Sequence, residues 1–194
     1  RGVLAAPQIS GRMELQDASL FLEDYPIGVS NAKGLVLFDR DRATIEKMTA
    51  EIGGGELTPS GFVGFGGEAA VFRLQAEAER ARIRYPEGVS ATADASLSLS
   101  GTAQRSLITG TITVGRAAFM PLGAPTAPNP VLSSMQLDVR VDSAPNLQFQ
   151  TALARDLQTE LDLRLRGTLA KPVVLGEVLV TQGEIQFFGN KYRI

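Results

Sequence analysis

The sequence predicts an all-β protein in which a largely antiparallel sheet carries one apolar face and one wet face. Three observations predict it. Apolar and polar residues alternate with a period of two nearly throughout, most clearly where Leu157, Leu161, Leu163 and Leu165 are interleaved with Gln158, Glu160, Asp162, Arg164 and Arg166. Helical periodicity is nearly absent. A spaced pattern also recurs: Gly110, Ile112, Val114, Ala117 and Phe119 are matched by Gly176, Val178, Val180, Gly183 and Ile185, and again by Gly11, Met13, Leu15, Ala18 and Leu20. Successive side chains of a strand point to opposite faces, so alternation of this kind describes a sheet covered on one side only.

From the N-terminus, strands are predicted at Ile9–Leu15, Ala18–Leu22, Gly34–Phe38, Thr44–Ile52, Glu56–Phe65 and Ala70–Ala76. Gly53-Gly54-Gly55 reads as a tight turn between two of them. Gln75–Arg82 is rich in helix formers, but alternation resumes at Ile83 and Tyr85, which favours a strand carrying a bulge. Further strands follow at Ala93–Ser100, Leu107–Val114, Met135–Asp142, Leu147–Leu153, Leu157–Arg166, Val173–Val180 and Glu184–Phe188. Pro121–Pro130 holds four prolines and is expected to be a loop, since proline cannot serve inside a sheet. The longer repeats extend upstream, where Leu97-Ser-Leu99-Ser-Gly101-Thr102 parallels Leu163-Arg-Leu165-Arg-Gly167-Thr168. Each unit is expected to run strand, Gly turn, strand, small-residue turn, strand. Residues 1–194 are expected to form one domain, and a start at Arg1 reads as a piece of a longer protein.

Composition narrows the function. The formal net charge is −2 with basic residues scattered singly, so the basic stripe that nucleic-acid binding needs is missing. There is no Cys, which excludes disulfides and thiolate metal sites, and no His, the commonest general base and metal ligand. No run of 18 apolar residues occurs, so this stretch holds no helical membrane span. Gly53–Gly55 lacks the following Lys-Ser/Thr of a phosphate loop. Glu160, Asp162, Arg164 and Arg166 read as a solvated face rather than acid–base pairs, and the hydroxyl rows at Ser96, Ser98, Ser100 and Thr109, Thr111, Thr113 have no histidine to activate them. The expectation is a non-enzyme with no catalytic residue, no metal and no cofactor.

A one-sided apolar sheet must cover that face. A filled β-sandwich is the ordinary answer for an all-β chain of this size. Two features favour a different one. The repeating units suggest a sheet that grows along one axis, and the aromatic content of 6%, with no Trp, suggests an aliphatic interior without large plugs. An elongated sheet folded into a U would enclose an apolar groove about 10 Å wide, enough for an acyl chain. The residues that would line it are Leu97, Leu99, Ile108, Ile112, Val114, Leu137, Val139, Val141, Leu161, Leu163, Leu165, Val178, Val180, Ile185 and Phe187. Their alternative role is ordinary core.

The stretch Leu161–Ile194 resembles the TamB C-terminal domain family, the inner-membrane component of the translocation and assembly module. The resemblance rests on Gly167, Thr168, Pro172, Gly176, Val178, Gly183, Ile185, Phe187, Gly189 and Tyr192 in a spaced pattern. It is joined by Gly53-Gly54-Gly55-Glu-Leu57 with Gly61 and by Arg84-Tyr85-Pro86-Glu-Gly88. It implies a bent β-sheet with a continuous apolar groove, a β-taco, like that of AsmA-type bridge-like lipid transfer proteins. It further implies a periplasmic location in an inner-membrane-anchored protein, phospholipid acyl chains as cargo moving between inner and outer membranes, and a link to outer-membrane protein and autotransporter assembly with a barrel partner of the TamA type. The chain ends before the family's final strands, so the contact with that partner is expected through segments beyond it. The competing expectation is a scaffold that pairs its sheet edge with incoming barrel strands.

Overall fold

In the computed structural model, residues 9–21, 28–67, 69–84, 88–102, 104–119, 133–151, 154–187 and 190–193 are described. Period-two alternation becomes strands β1 (Ile9–Leu20), β2 (Val29–Arg40), β3 (Arg42–Ile52), β4 (Gly55–Gly64), β5 (Val71–Ile83), β6 (Val89–Thr102), β7 (Ser106–Phe119), β8 (Met135–Thr151), β9 (Ala154–Thr168), β10 (Lys171–Phe187) and β11 (Asn190–Arg193). All lie in one sheet in chain order, each hydrogen-bonded to its sequence neighbour. The all-β class and the antiparallel sheet are thus as expected.

The pair β7–β8 is parallel, setting Ser106 beside Met135 and Phe119 beside Thr151. Alternation carries no information about strand direction, so the sequence did not foretell this. Parallel neighbours need a connection that crosses from one end of the strands to the other. Pro121–Pro130 falls within that connection, outside the described residues.

The tight turns follow local chemistry. Gly53 and Gly54 both have positive φ between the paired residues Ile52 and Gly55, the two-residue turn whose twist suits a hairpin. The parallel drawn between Leu97–Thr102 and Leu163–Thr168 becomes two like hairpins, β6–β7 and β9–β10. In one, Arg105 N–H donates to Thr102 Oγ1, and in the other Lys171 N–H donates to Thr168 Oγ1, each at 3.2 Å.

Two expectations are corrected. The strands are longer than alternation suggested: Ile9–Leu15 merges with the following segment in β1, Met135–Asp142 with Leu147 onward in β8, and Val173–Val180 with Glu184 onward in β10. The repeat's small-residue positions are not turns, since Ala117 lies within β7 and Gly183 within β10. Gly110 and Gly176 sit in mid-strand, paired with Leu97 and Leu163 at φ +137 and +125. A Cβ on either would overlap a backbone carbonyl oxygen of the neighbouring strand, that of Ser96 or of Asp162. Glycine marks close backbone approach here.

The interruptions in alternation are β-bulges, and they align across the sheet. Register shifts fall between Leu15 and Ala18, Ser30 and Lys33, Ala78 and Ala81, Val114 and Arg116, Asp142 and Gln148, and Val180 and Gln182. Asp17, Asn31 and Arg80 adopt positive φ there. The bulge expected in Gln75–Arg82 is the one at Arg80, whose freed N–H donates to Asp94 Oδ1 at 2.7 Å. Bulges bend a strand and steepen its twist, so a row of them acts as a crease.

Candidate functional site: an open apolar face

Register places the apolar residues of ten strands on one face. Met13, Val36, Ile45, Gly61, Leu74, Leu99, Ile108, Leu137, Gly167 and Pro172 are successive partners along a single rung from β1 to β10. A parallel rung reads Pro59, Ala76, Leu97, Gly110, Val139, Leu165 and Val174, and another reads Leu57, Ala78, Ala95, Ile112, Val141, Leu163 and Gly176. None of these residues is charged. At about 4.8 Å per strand, the longest rung extends roughly 43 Å.

Close backbone approach is confined to sheet neighbours, apart from a minor approach of β3 to β5 and marginal contacts. Among the described residues no second sheet or helix lies over this face. A sandwich of two separate sheets is therefore not the architecture. Burial of the face is partial. Val139 is 2% exposed, and Val114, Leu137 and Val141 are also buried, whereas Leu97, Leu99, Ile108, Ile112, Leu161, Leu163, Leu165 and Val180 are half-buried. Val178, on the same face in β10, is 51% exposed. The backbones of Ile185 and Phe187 belong to β10, while their side chains lie outside the described residues.

Its buried cluster joins the expected Val114 and Val141 to Ala93 and Leu147, which escaped sequence reasoning; Leu147 is only 1% exposed. Leu147 keeps the parity of Val141, but the register shift between Asp142 and Gln148 separates it from the run of alternation that ends at Asp142. Alternation at Phe72, Leu74, Ala76 and Ala78 was the available signal for β5. Ser106 and Thr159 are the polar exceptions, 3% and 4% exposed, and the Thr159 Oγ1 finds no hydrogen-bond partner among the described residues.

The opposite face is wet and self-neutralising. Arg164 donates to both oxygens of Asp138, Nε to Oδ1 at 2.6 Å and Nη2 to Oδ2 at 2.8 Å. That hydrogen bond chiefly holds the Asp138 carboxyl below its ordinary range; desolvation opposes it, and the charges of Arg164 and Arg166 add smaller lowering contributions. Arg140 bridges Asp142 at 2.8 Å and Asp162 at 3.3 Å. Charges read as solvated from the sequence are solvated, and they are paired across strands. Facing hydroxyls continue the polar surface, Ser96 opposite Thr111 and Ser98 opposite Thr109. Strand β10 departs from the pattern, because Val173, Leu175 and Leu179 are exposed on this wet side.

No acid–base pair converges on the apolar face among the described residues, and no group of acidic side chains among them is placed to hold a metal ion. No helix among them is long and apolar enough to cross a membrane. What the face offers is a wide hydrocarbon surface free of charge. Residues 46–131 match the family model described as the TamB C-terminal domain. A search of curated proteins returns no match, and neither does a search of solved structures.

Proposed function

From the premise that the chain carries a TamB C-terminal domain over residues 46–131, we propose that it is a non-catalytic lipid conduit of the cell envelope. The domain assignment supports a part in building the envelope in general. The conduit is the finer reading, and one observation carries it: an uncharged apolar face continuous over ten strands, with no second sheet or helix among the described residues. Each methylene of an acyl chain laid on such a surface gains roughly 0.8 kcal/mol. Aligned bulges supply the crease at which the sheet would fold into a U, enclosing the chains while headgroups stay in water along the open rim. Location in the periplasm, attachment to the inner membrane and delivery of phospholipid toward the outer membrane are parts of this proposal.

The test is lipid extraction and native mass spectrometry of the purified protein, beside a Leu163→Arg variant. Leu163 is half-buried opposite Gly176, which leaves room for a long side chain whose charge can reach the rim. Val139 is a poorer choice, since at 2% exposure a carboxylate there would unfold the sheet locally. Phospholipid that co-purifies with the wild type and is lost from folded Leu163→Arg is the expected result. A folded, lipid-free wild type would sink the conduit.

A second reading has its own observation. Among the described residues β1 has a hydrogen-bonded neighbour on one side only, leaving a twelve-residue edge, Ile9–Leu20. Free edges template strand addition. A scaffold for barrel strands would be harmed more by proline in β1 than by Leu163→Arg, and the reverse ranking removes it.

A further inference from the structure

On the wet face, beyond the line of bulges, three arginines converge with no counter-ion among the described residues. Arg82 is the partner of Thr92, Thr92 of Arg116 and Arg116 of Gln148, so one rung across β5–β8 alternates cation and neutral polar group. On the next rung toward the strand ends, Ser90 pairs with Ala118 and Ala118 with Gln150, and Arg84 directly follows the last residue of β5. Between these side chains lies an open cavity of about 270 Å³, lined by Arg82, Arg84, Arg116, Ser90, Thr92 and Gln150 with alanines beside them.

No carboxylate lines this cavity among the described residues. Arg82, Arg84 and Arg116 join no ion pair there, whereas Arg140, Arg164 and Arg166 on the same face all do. The contrast matters because like charges on adjoining strands repel. Arg82 and Arg116 stand two strands apart, about 10 Å, and Arg82 and Arg84 two residues apart, about 7 Å. Guanidinium groups on flexible stems can close on a common point from those distances. Ser90 and Ala118 are small enough to leave that point empty of protein.

We propose that this cradle binds a phosphate group, free or on a lipid headgroup. The guanidinium fork matches phosphate oxygens two at a time, and the Ser90 and Thr92 hydroxyls add neutral donors. The site stands on its own geometry and does not depend on the conduit.

The experiment is a titration of isotope-labelled protein with inorganic phosphate, against chloride at equal ionic strength, followed by backbone amide shifts. Saturable shifts confined to Ser90, Thr92, Arg116 and their neighbours are expected. Arg116→Gln should bind about tenfold more weakly, the loss of one charge-assisted interaction, and R82Q/R116Q should not saturate. All three arginine side chains are exposed, so the variants should keep the wild-type far-ultraviolet spectrum. Absence of saturation in the wild type, or equal affinity in the double variant, overturns the proposal. Dihexanoyl phosphatidylglycerol below its micelle concentration separates the two sources. Saturable binding tighter than that of phosphate, lost in R82Q/R116Q, assigns the cradle to a lipid headgroup. Equal binding of both anions assigns it to phosphate alone. A lipid-free protein that still binds phosphate would end the conduit and leave the cradle standing.

Discussion

Gly110→Ala tests whether the in-strand glycines hold the sheet in its observed register. At φ +137 a Cβ on residue 110 overlaps the Ser96 carbonyl oxygen and comes within 2.9 Å of the Leu97 Cα. Both obstacles are backbone, so neither can rotate aside. Two costs add. Alanine at positive φ costs about 1–2 kcal/mol, and relieving the overlap by shifting β6 costs about 1–3 kcal/mol more, as overpacking does elsewhere. Gly54 provides the control, since it has φ +82 and a methyl added there would meet nothing within 4 Å, so it bears the first cost alone. In a chain of this size each kcal/mol lowers Tm by about 2–4 °C. Gly110→Ala should therefore melt roughly 4–20 °C below wild type, and Gly54→Ala roughly 2–8 °C below it. Gly176→Ala should track Gly110→Ala, because it meets Asp162 as Gly110 meets Ser96. Thermal unfolding by far-ultraviolet circular dichroism reads all three. Coincident curves for Gly110→Ala and Gly54→Ala would refute the close approach of β6 and β7.

Leu147→Ala removes the most buried side chain of the face, packed with Ala93, Val114 and Val141, and should cost about 2–5 kcal/mol, seen as a lower urea midpoint at unchanged slope. An unchanged midpoint would mean that Leu147 does not pack into that cluster. Asp138→Asn probes the wet side. Because Arg164 lowers the folded-state pKa of Asp138, its stabilisation is present above the unfolded-state value and is lost as pH falls through the folded one. The variant should be slightly less stable than wild type at neutral pH, with the gap closing below about pH 4. A gap that persists in acid would show that the carboxylate charge is not its source.

The fold class was legible because period two is a local signal, complete within each strand. Leu161, Leu163 and Leu165 share a face for that reason alone. Strand ends were less legible because a bulge and a turn both break parity. Asp17, Arg80 and Gly115 interrupt alternation as a turn would, yet the ladder resumes beyond each of them. The parallel β7–β8 pair could not be read at all, since side-chain parity is the same for either direction. The arginine cradle was invisible for a related reason. Arg82, Arg84 and Arg116 are isolated charges in the sequence, with Arg116 more than thirty residues from the other two, and only the register through Thr92 makes them neighbours.

The shortage of large side chains acquires a physical meaning from the rungs. A closed sandwich fills the space of about 10 Å between its sheets with interlocking side chains from both. Along this face the partners of Leu57, Leu97 and Leu163 include Ala50, Ala76, Ala78, Gly110 and Gly176. Alanine and glycine cannot reach a facing wall. If the sheet folds at its line of bulges, the two walls would meet across a gap that their own side chains leave unfilled. Water gains nothing from such a gap, because the rungs offer it no hydrogen-bond partner. Flexible hydrocarbon fits it best, since a chain of methylenes takes up irregular space without needing polar contacts. The same feature that denies this protein an ordinary core is therefore what our proposal requires of a conduit.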